Sequence, residues 1–190
     1  MLDSSLLPLH DDRARLRPLR HDDAAAFAEG TADPAVREHG HLPEPEYTPE
    51  SVRAMIDRDA APGLERGDLA VLAIADAATD SFAGSLVLFD VSEDSAEVGF
   101  WLHPRHRGSG LTGAALSLAA DLARGSVLAA LTARTAPENI ASQRALAAAG
   151  FETVGREVGT APSGESVELL HLVRHLTAVS RRRLRPPPAG

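Results

Sequence analysis

The chain has 190 residues, enough for one domain with a sizeable core; 44% of it is hydrophobic but only 4% aromatic, so the core must come mainly from Leu, Val and Ala. It has no cysteine, which excludes a disulfide scaffold and a thiolate nucleophile and fits a reducing, cytoplasmic setting. The formal charge of −8 is uneven: residues 1–175 hold fifteen arginines against twenty-seven carboxylates, a net of −12, which argues against nucleic acid as the main partner.

The opening MLDSSLLPLHDD has early acids and only a short apolar run, so it reads as a flexible leader over residues 1–12 and not as a signal peptide. No apolar stretch approaches the eighteen residues that a membrane span needs. Arg13 to Leu19 alternates as a first strand that Pro18 ends or confines to an edge. His21 to Ala28 reads as a short helix with Asp22 and Asp23 favourable at its start. Thr31 to Tyr47, with three prolines, should be irregular apart from one short helical turn, and such loops often shape pockets. Thr48 caps the next helix, Pro49 suits its first position, Ser51 stands where a capping box closes, and Pro62-Gly63 should end it.

Asp68–Ile74 and Ser81–Phe89 read as an antiparallel hairpin, followed by a strand over Ala96–Leu102. A helix over Gly110–Arg124 carries a stripe of Leu111, Ala115, Leu118 and Leu122, and Gly125 closes it. Val127–Thr135 is a compact apolar strand, and a helix from Pro137-Glu138-Asn139 ends at Gly150 in a left-handed cap. Phe151–Val158 and Val167–Arg174 are the last strands, and residues 176–190, with four arginines and three prolines, form a disordered tail. This order describes one α+β domain over residues 13–175.

The chemistry concentrates in Ala96–Leu122. A strand, Glu97-Val98-Gly99-Phe100-Trp101-Leu102, passes through Pro104 into Arg107-Gly108-Ser109-Gly110 and then into a helix. Glycines leave backbone amides uncovered, and a helix start adds partial positive charge, so the turn suits a phosphate, with Arg107 as an added guanidinium. The plainer alternative is a strand-to-helix turn beside a surface arginine. It is neither a Walker loop nor a dinucleotide fingerprint: no Gly-Lys-Ser/Thr follows, and no ribose-binding acid closes a following parallel strand. Asn139, Ser142, Leu146 and Ala149 share one helix face, where Asn139 is either a ligand contact or only a cap and Ser142 either a site residue or small packing.

These blocks resemble the GNAT superfamily of acetyl-CoA-dependent N-acetyltransferases, and within it the branch of ribosomal-protein N-terminal (alanine/serine) acetyltransferases. The family's Gln/Arg-x-x-Gly-x-Gly/Ala falls on Arg107 to Thr112, the branch's Glu-Ile-Gly-Tyr-Trp-Leu on Glu97 to Leu102, and its Asn-x-x-Ser…Gly-Phe on Asn139, Ser142, Gly150 and Phe151. The resemblance spans about Arg13 to Arg174 and implies a mixed, mostly antiparallel splayed sheet flanked by helices. It also implies that acetyl-CoA enters between the strands ending at Leu102 and near Arg134. Backbone groups of Trp101 and Leu102 would pair with pantetheine. Arg107 and the amides of Gly108, Ser109, Gly110, Leu111, Thr112 and Gly113 would hold pyrophosphate, Thr112 departing from the usual Gly/Ala. Asn139 would hold the coenzyme arm, with Ser142 near the thioester.

Glu97 points to the same side as Gly99, Trp101 and His103, so it is a candidate base, the alternative being a solvated or helix-bonded carboxylate. Leu146 stands where many relatives carry a tyrosine acid, leaving Ser142 or water for that role. His103 and His106 should be exposed, His39 and His41 help shape an acceptor site without metal-ligand spacing, His171 is structural, and Tyr47 lies at the cleft lip. The expectation is direct acetyl transfer to a primary amine: a peptide N-terminus by branch resemblance, or else a polyamine, amino acid or antibiotic amine. A non-catalytic acyl-CoA-binding domain is a further alternative. The protein is expected to work as a monomer or homodimer.

Overall fold

A computed structural model describes residues 1–40, 42–160 and 166–176. One eight-stranded sheet runs through it: β1 (Leu9–His10), β2 (Ala14–Pro18), β3 (Ala70–Asp76), β4 (Phe82–Phe89), β5 (Ser95–Leu102), β6 (Ala130–Thr135), β7 (Glu152–Thr160) and β8 (Ser166–His175), in the order β1-β2-β3-β4-β5-β6-β8-β7. Every neighbouring pair is antiparallel except β5 and β6. The helices are α1 (Ala24–Thr31), α2 (Pro34–His39), α3 (Pro49–Met55), α4 (Ala61–Arg66), α5 (Leu111–Gly125) and α6 (Ile140–Ala148). This is the α+β, splayed, mostly antiparallel architecture expected.

Strand alternation divides the core in two. Leu72, Ile74, Leu86, Leu88 and Leu131 are fully buried against the α5 stripe of Leu116, Leu118 and Leu122. Ala73, Phe82 and Trp101 face the other way and pack on Phe27 of α1 and on Val52 and Met55 of α3. Burying each large side chain contributes about 1.5–3 kcal/mol, so both layers hold their helices firmly.

Local signals set several boundaries. Thr48 and Ser51 form the reciprocal capping box at the start of α3, and Gly150 has φ of +82° after α6. The helix expected to stop at Pro62-Gly63 instead runs through a π-helical turn, Ile56–Ala60, into α4, and ends at Gly67. Proline lacks an N–H and its ring crowds the carbonyl one turn back; a widened turn just before Pro62 relieves both problems, so the helix continues.

Residues 1–12 are not the loose leader expected. Leu2 is buried, its N–H donates to the Gly67 carbonyl at 2.9 Å, and β1 pairs with β2 at Leu9↔Leu16. Leu6 packs directly on Gly125, where any Cβ would collide with it. That contact explains Gly125, which is the last helical residue and not the left-handed cap. Past the Ser126 cap, the left-handed residue is Val127, at φ +64° and exposed. A β-branched residue is disfavoured there by about 1–2 kcal/mol. Val127→Gly is therefore expected to raise stability by roughly 1 kcal/mol after the unfolded-state entropy is subtracted, read as a higher urea midpoint at unchanged m-value.

Residues 177–190, including the arginine-rich tail, lie outside the described residues, as do His41 and most of the polar loop between β7 and β8.

Candidate active site

β5 and β6 are parallel and stay paired only over Ser95↔Ala130, Ala96↔Leu131 and Glu97↔Thr132. Beyond that they diverge, and β6 turns into α6. The resulting wedge joins a cavity of 380 Å³ that reaches Val98, Phe100, Thr135, Asn139, Ser142 and Leu146.

Backbone direction decides what β5 offers to this wedge. The His103 N–H donates to Ala83 of β4 at 2.9 Å, whereas the Ala96 carbonyl receives the Thr132 hydroxyl and the Asp94 carbonyl receives Ala129 N–H, both from the β6 side. N–H and C=O alternate together along a strand, so odd-numbered residues of β5 pair with β4 and even-numbered ones face β6. Trp101 is thus turned to Ser85 of β4 and has no backbone group for a ligand in the wedge. Phe100 and Leu102 have them. The strand-like pairing expected of Trp101 and Leu102 therefore has backbone groups on this edge at Leu102 and Phe100 but not at Trp101. A ligand chain carrying amides can add to this open edge as another strand would.

The edge runs out at the glycine turn. Gly108 (φ +76°) and Gly110 (φ +81°) hold left-handed conformations that other residues adopt at a cost, and α5 starts directly after them. Among the described residues, none of the six amides from Gly108 to Gly113 donates to a protein acceptor. Six free donors at the positive end of a fifteen-residue helix form a cradle for an anion. Thr112 lies within the first helical turn, outside the left-handed positions, so its β-branch does not strain the loop. The Ser109 hydroxyl donates to the His106 carbonyl and closes the turn, leaving the Ser109 amide for a ligand.

Two arginines meet here, one of them missed in the sequence. Arg107 donates to Asp33, which also caps α2 by accepting the Val36 N–H. The Arg107 hydrogen bond holds the Asp33 carboxyl below the ordinary carboxylate range. The Arg107 guanidinium is thereby tied to α2. Arg13, at the start of β2, brings its guanidinium beside Gly110, where a Cβ would lie 2.6 Å from Nη1. No sequence motif marks Arg13, because only the sheet order carries β2 to the end of α5.

The opposite face of β5 bears Glu97, Gly99 and Trp101. Trp101 is wedged edge-on to Phe27 (5.1 Å, 84°) and beside Phe82 (5.8 Å), and Phe27 in turn meets Tyr47 (5.4 Å, 64°). Gly30 of α1 admits the indole, since a Cβ there would stand 2.5 Å from Trp101 Cζ3. Burial pushes the Tyr47 phenol above its ordinary range, so it stays protonated at neutral pH. Glu97 is largely buried and accepts from Arg134 Nε through Oε1 at 2.9 Å; among the described residues nothing engages Oε2. Arg134 lies 3.7 Å from Glu157 and 4.0 Å from Asp90, and the Glu97 hydrogen bond chiefly raises its pKa. On α6, Asn139 Oδ1 accepts the Ser142 N–H at 3.1 Å and so caps the helix. Its amide nitrogen remains a donor, and both side chains line the cavity. Leu146 is fully buried beneath them.

Residues 13–152 match the acetyltransferase (GNAT) domain family. The chain belongs to that family. Solved structures share the fold. Mycobacterium smegmatis RimJ in complex with CoA-disulfide is 24% identical, with a TM-score of 0.77 over 85% of this chain and 81% of that one. Vibrio fischeri ribosomal-protein-S5-alanine acetyltransferase is 16% identical (TM-score 0.76, 90% and 97%). Spermidine N-acetyltransferase from Vibrio cholerae, in complex with CoA and spermine, is also 16% identical (TM-score 0.74, 87% and 97%).

In this GNAT domain the sequence-predicted residues Glu97, Asn139 and Ser142 line one cavity, and the Gly108–Gly113 amides lie outside that lining, around the start of α5. His39 and Tyr47 line the cavity too, and His171 lies on β8. His103 departs from expectation: it is buried, because it extends the Trp101 face of β5 onto Gly30. Its Nδ1 accepts the Arg105 N–H at 3.3 Å, so the proton belongs on Nε2, 3.8 Å from Glu29. Desolvation lowers its pKa, outweighing Glu29. The unfolded chain then binds a proton that the folded one refuses. Stability is complete above the ordinary histidine range and falls as pH drops below about 6.5 toward the depressed value. Between pH 7.5 and 5.5 the urea midpoint should fall more in wild type than in His103→Asn, which keeps an acceptor for the Arg105 amide.

Proposed function

We propose that the protein transfers an acetyl group from acetyl-CoA to a primary amine by direct attack, in the cytoplasm. One observation carries this reading: the unpaired edge of β5 is followed, after one 3-10 turn at Pro104–His106, by six free amides at the start of α5. A pantetheine arm has amides for Phe100 and Leu102, and a pyrophosphate matches the cradle and Arg13. The Asn139 amide donates to the arm, and the Ser142 hydroxyl, without a protein partner among the described residues, stands ready at the thioester.

In the reaction, the amine lone pair attacks the thioester carbonyl carbon and the carbon–sulfur bond breaks. Glu97, through Oε2 or a bridging water, takes the proton lost by the ammonium, while Arg134 fixes Oε1. Ser142 or water returns a proton to the thiolate; Leu146 supplies none. The acceptor class we favour is a peptide N-terminal α-amine, supported by the branch motifs at Glu97–Leu102 and Asn139–Phe151.

Calorimetry with CoA and a thiol-release assay with acetyl-CoA and an amine panel test this reading. Absence of CoA binding would sink it. Arg13→Ala is expected to weaken CoA about tenfold, the lower end for a charge-assisted hydrogen bond at an exposed site, with folding unaffected. An unchanged dissociation constant would remove Arg13 from the site.

A further inference from the structure

The acceptor side of the cavity has a chemistry of its own. Its roof is Phe27, Tyr47 and Met55, and its floor includes Val71, Val87 and Phe89. Gly99 sits between Glu97 and Trp101 without a side chain; a Cβ there would meet Val87 at 3.1 Å and Phe89 at 3.7 Å. A Cβ does not fit there without displacing Val87, so Gly99 keeps β5 close against Val87 and Phe89, and the cavity wall beside Glu97 is apolar. Among the described residues lining the cavity, Glu97, Arg134 and His39 are the only ionisable ones besides the protonated Tyr47, and Glu97 and Arg134 neutralise each other. Asp90 and Glu157 also flank Arg134, so three carboxylates, Glu97 included, surround this one guanidinium. An ammonium is thus drawn to this cluster, meets one carboxylate within the cavity, and finds no second one deeper.

We propose that the acceptor is a monoamine whose amine-bearing carbon carries an apolar group of leucine to phenylalanine size, as in a peptide with such a first residue, and not a polycation. This rests on the acetyl-transfer reading above. The apolar group fills the recess of the cavity lined by Phe27, Val71, Val87 and Phe89 and so holds the nitrogen near Glu97. A second ammonium, or a carboxylate, would have to enter the same recess unpaired, and desolvating it costs several kcal/mol. Hydrophobic side chains differing by a methylene are commonly separated 10- to 200-fold by such pockets.

The test is thiol release with acetyl-CoA and short peptides that differ only at the first residue, with spermidine alongside and CoA binding measured on the same protein. Leu-, Met- and Phe-first peptides are expected to exceed Ser-, Asp- and Lys-first peptides and spermidine by about tenfold or more in kcat/KM. Val87→Asp, which adds a carboxylate to the floor, should abolish that preference and improve the Lys-first peptide, whereas Val87→Thr should keep the ranking. A wild-type ranking led by Ser, Asp, Lys or spermidine, or no turnover of the apolar series while CoA still binds, overturns this acceptor assignment alone. Failure to bind CoA overturns the reading beneath it.

Discussion

Glu97→Gln is expected to lower kcat at neutral pH by about 10²-fold or more, within the 10²–10⁴ that a positioned general base contributes. The substitution keeps the side chain's shape and an oxygen for Arg134 Nε, so the 2.9 Å contact and the fold should survive. What it removes is the ability to take a proton at Oε2. On the proposed reading CoA affinity should therefore stay at the wild-type value, because the β5 edge proposed for the coenzyme is that of Phe100 and Leu102, whose backbone faces β6. If kcat is unchanged, Glu97 serves only to anchor Arg134, and a water or another group removes the proton.

The parts of this site legible in the sequence are those made by neighbours in the chain. Gly108 and Gly110 stand where left-handed backbone is needed, Asn139 caps three residues before Ser142, and Thr48 pairs with Ser51. Side-chain parity along β5 was equally readable, since Glu97 and Trp101 share a face in any strand. Which edge each backbone group faces was not, because that depends on the partner strand; the pairing of Trp101 with Ser85 leaves Phe100, and not Trp101, with backbone groups on the β6 side. Arg13 and Arg134 escaped for the same reason, as sheet order alone brings β2 to the α5 terminus and β6 beside Glu97. Gly125 closes α5 as expected, but for a reason the sequence hides: it makes room for Leu6, more than a hundred residues away, while Val127 takes the left-handed position.

The second large effect lies at the root of α1. Arg17→Ala is expected to cost about 3–5 kcal/mol, the range for breaking a buried pair from one side. Arg17 and Asp23 are both buried and joined by two hydrogen bonds of 2.7 and 2.9 Å, and Arg17 also reaches Asp80 Oδ1 at 3.0 Å. The Asp23 hydrogen bond raises the Arg17 pKa against desolvation, so the cation is firmly held. Removing it leaves the Asp23 carboxylate buried with the Arg20 N–H, at 2.8 Å, as its remaining hydrogen bond among the described residues. At about 2–4 °C per kcal/mol for a domain of this size, Tm should fall by roughly 6–20 °C. Arg17→Met with Asp23→Asn removes both charges and should lose less than Arg17→Ala alone, a contrast that simple loss of packing would not produce. The consequence reaches the acceptor pocket. Asp23 is the residue before α1, and Phe27, one turn later, braces Trp101 and Tyr47. Below its lowered Tm, Arg17→Ala should therefore show a higher acceptor KM with CoA affinity little changed. A wild-type Tm would mean that the aromatic cluster holds α1 in place without this ion pair.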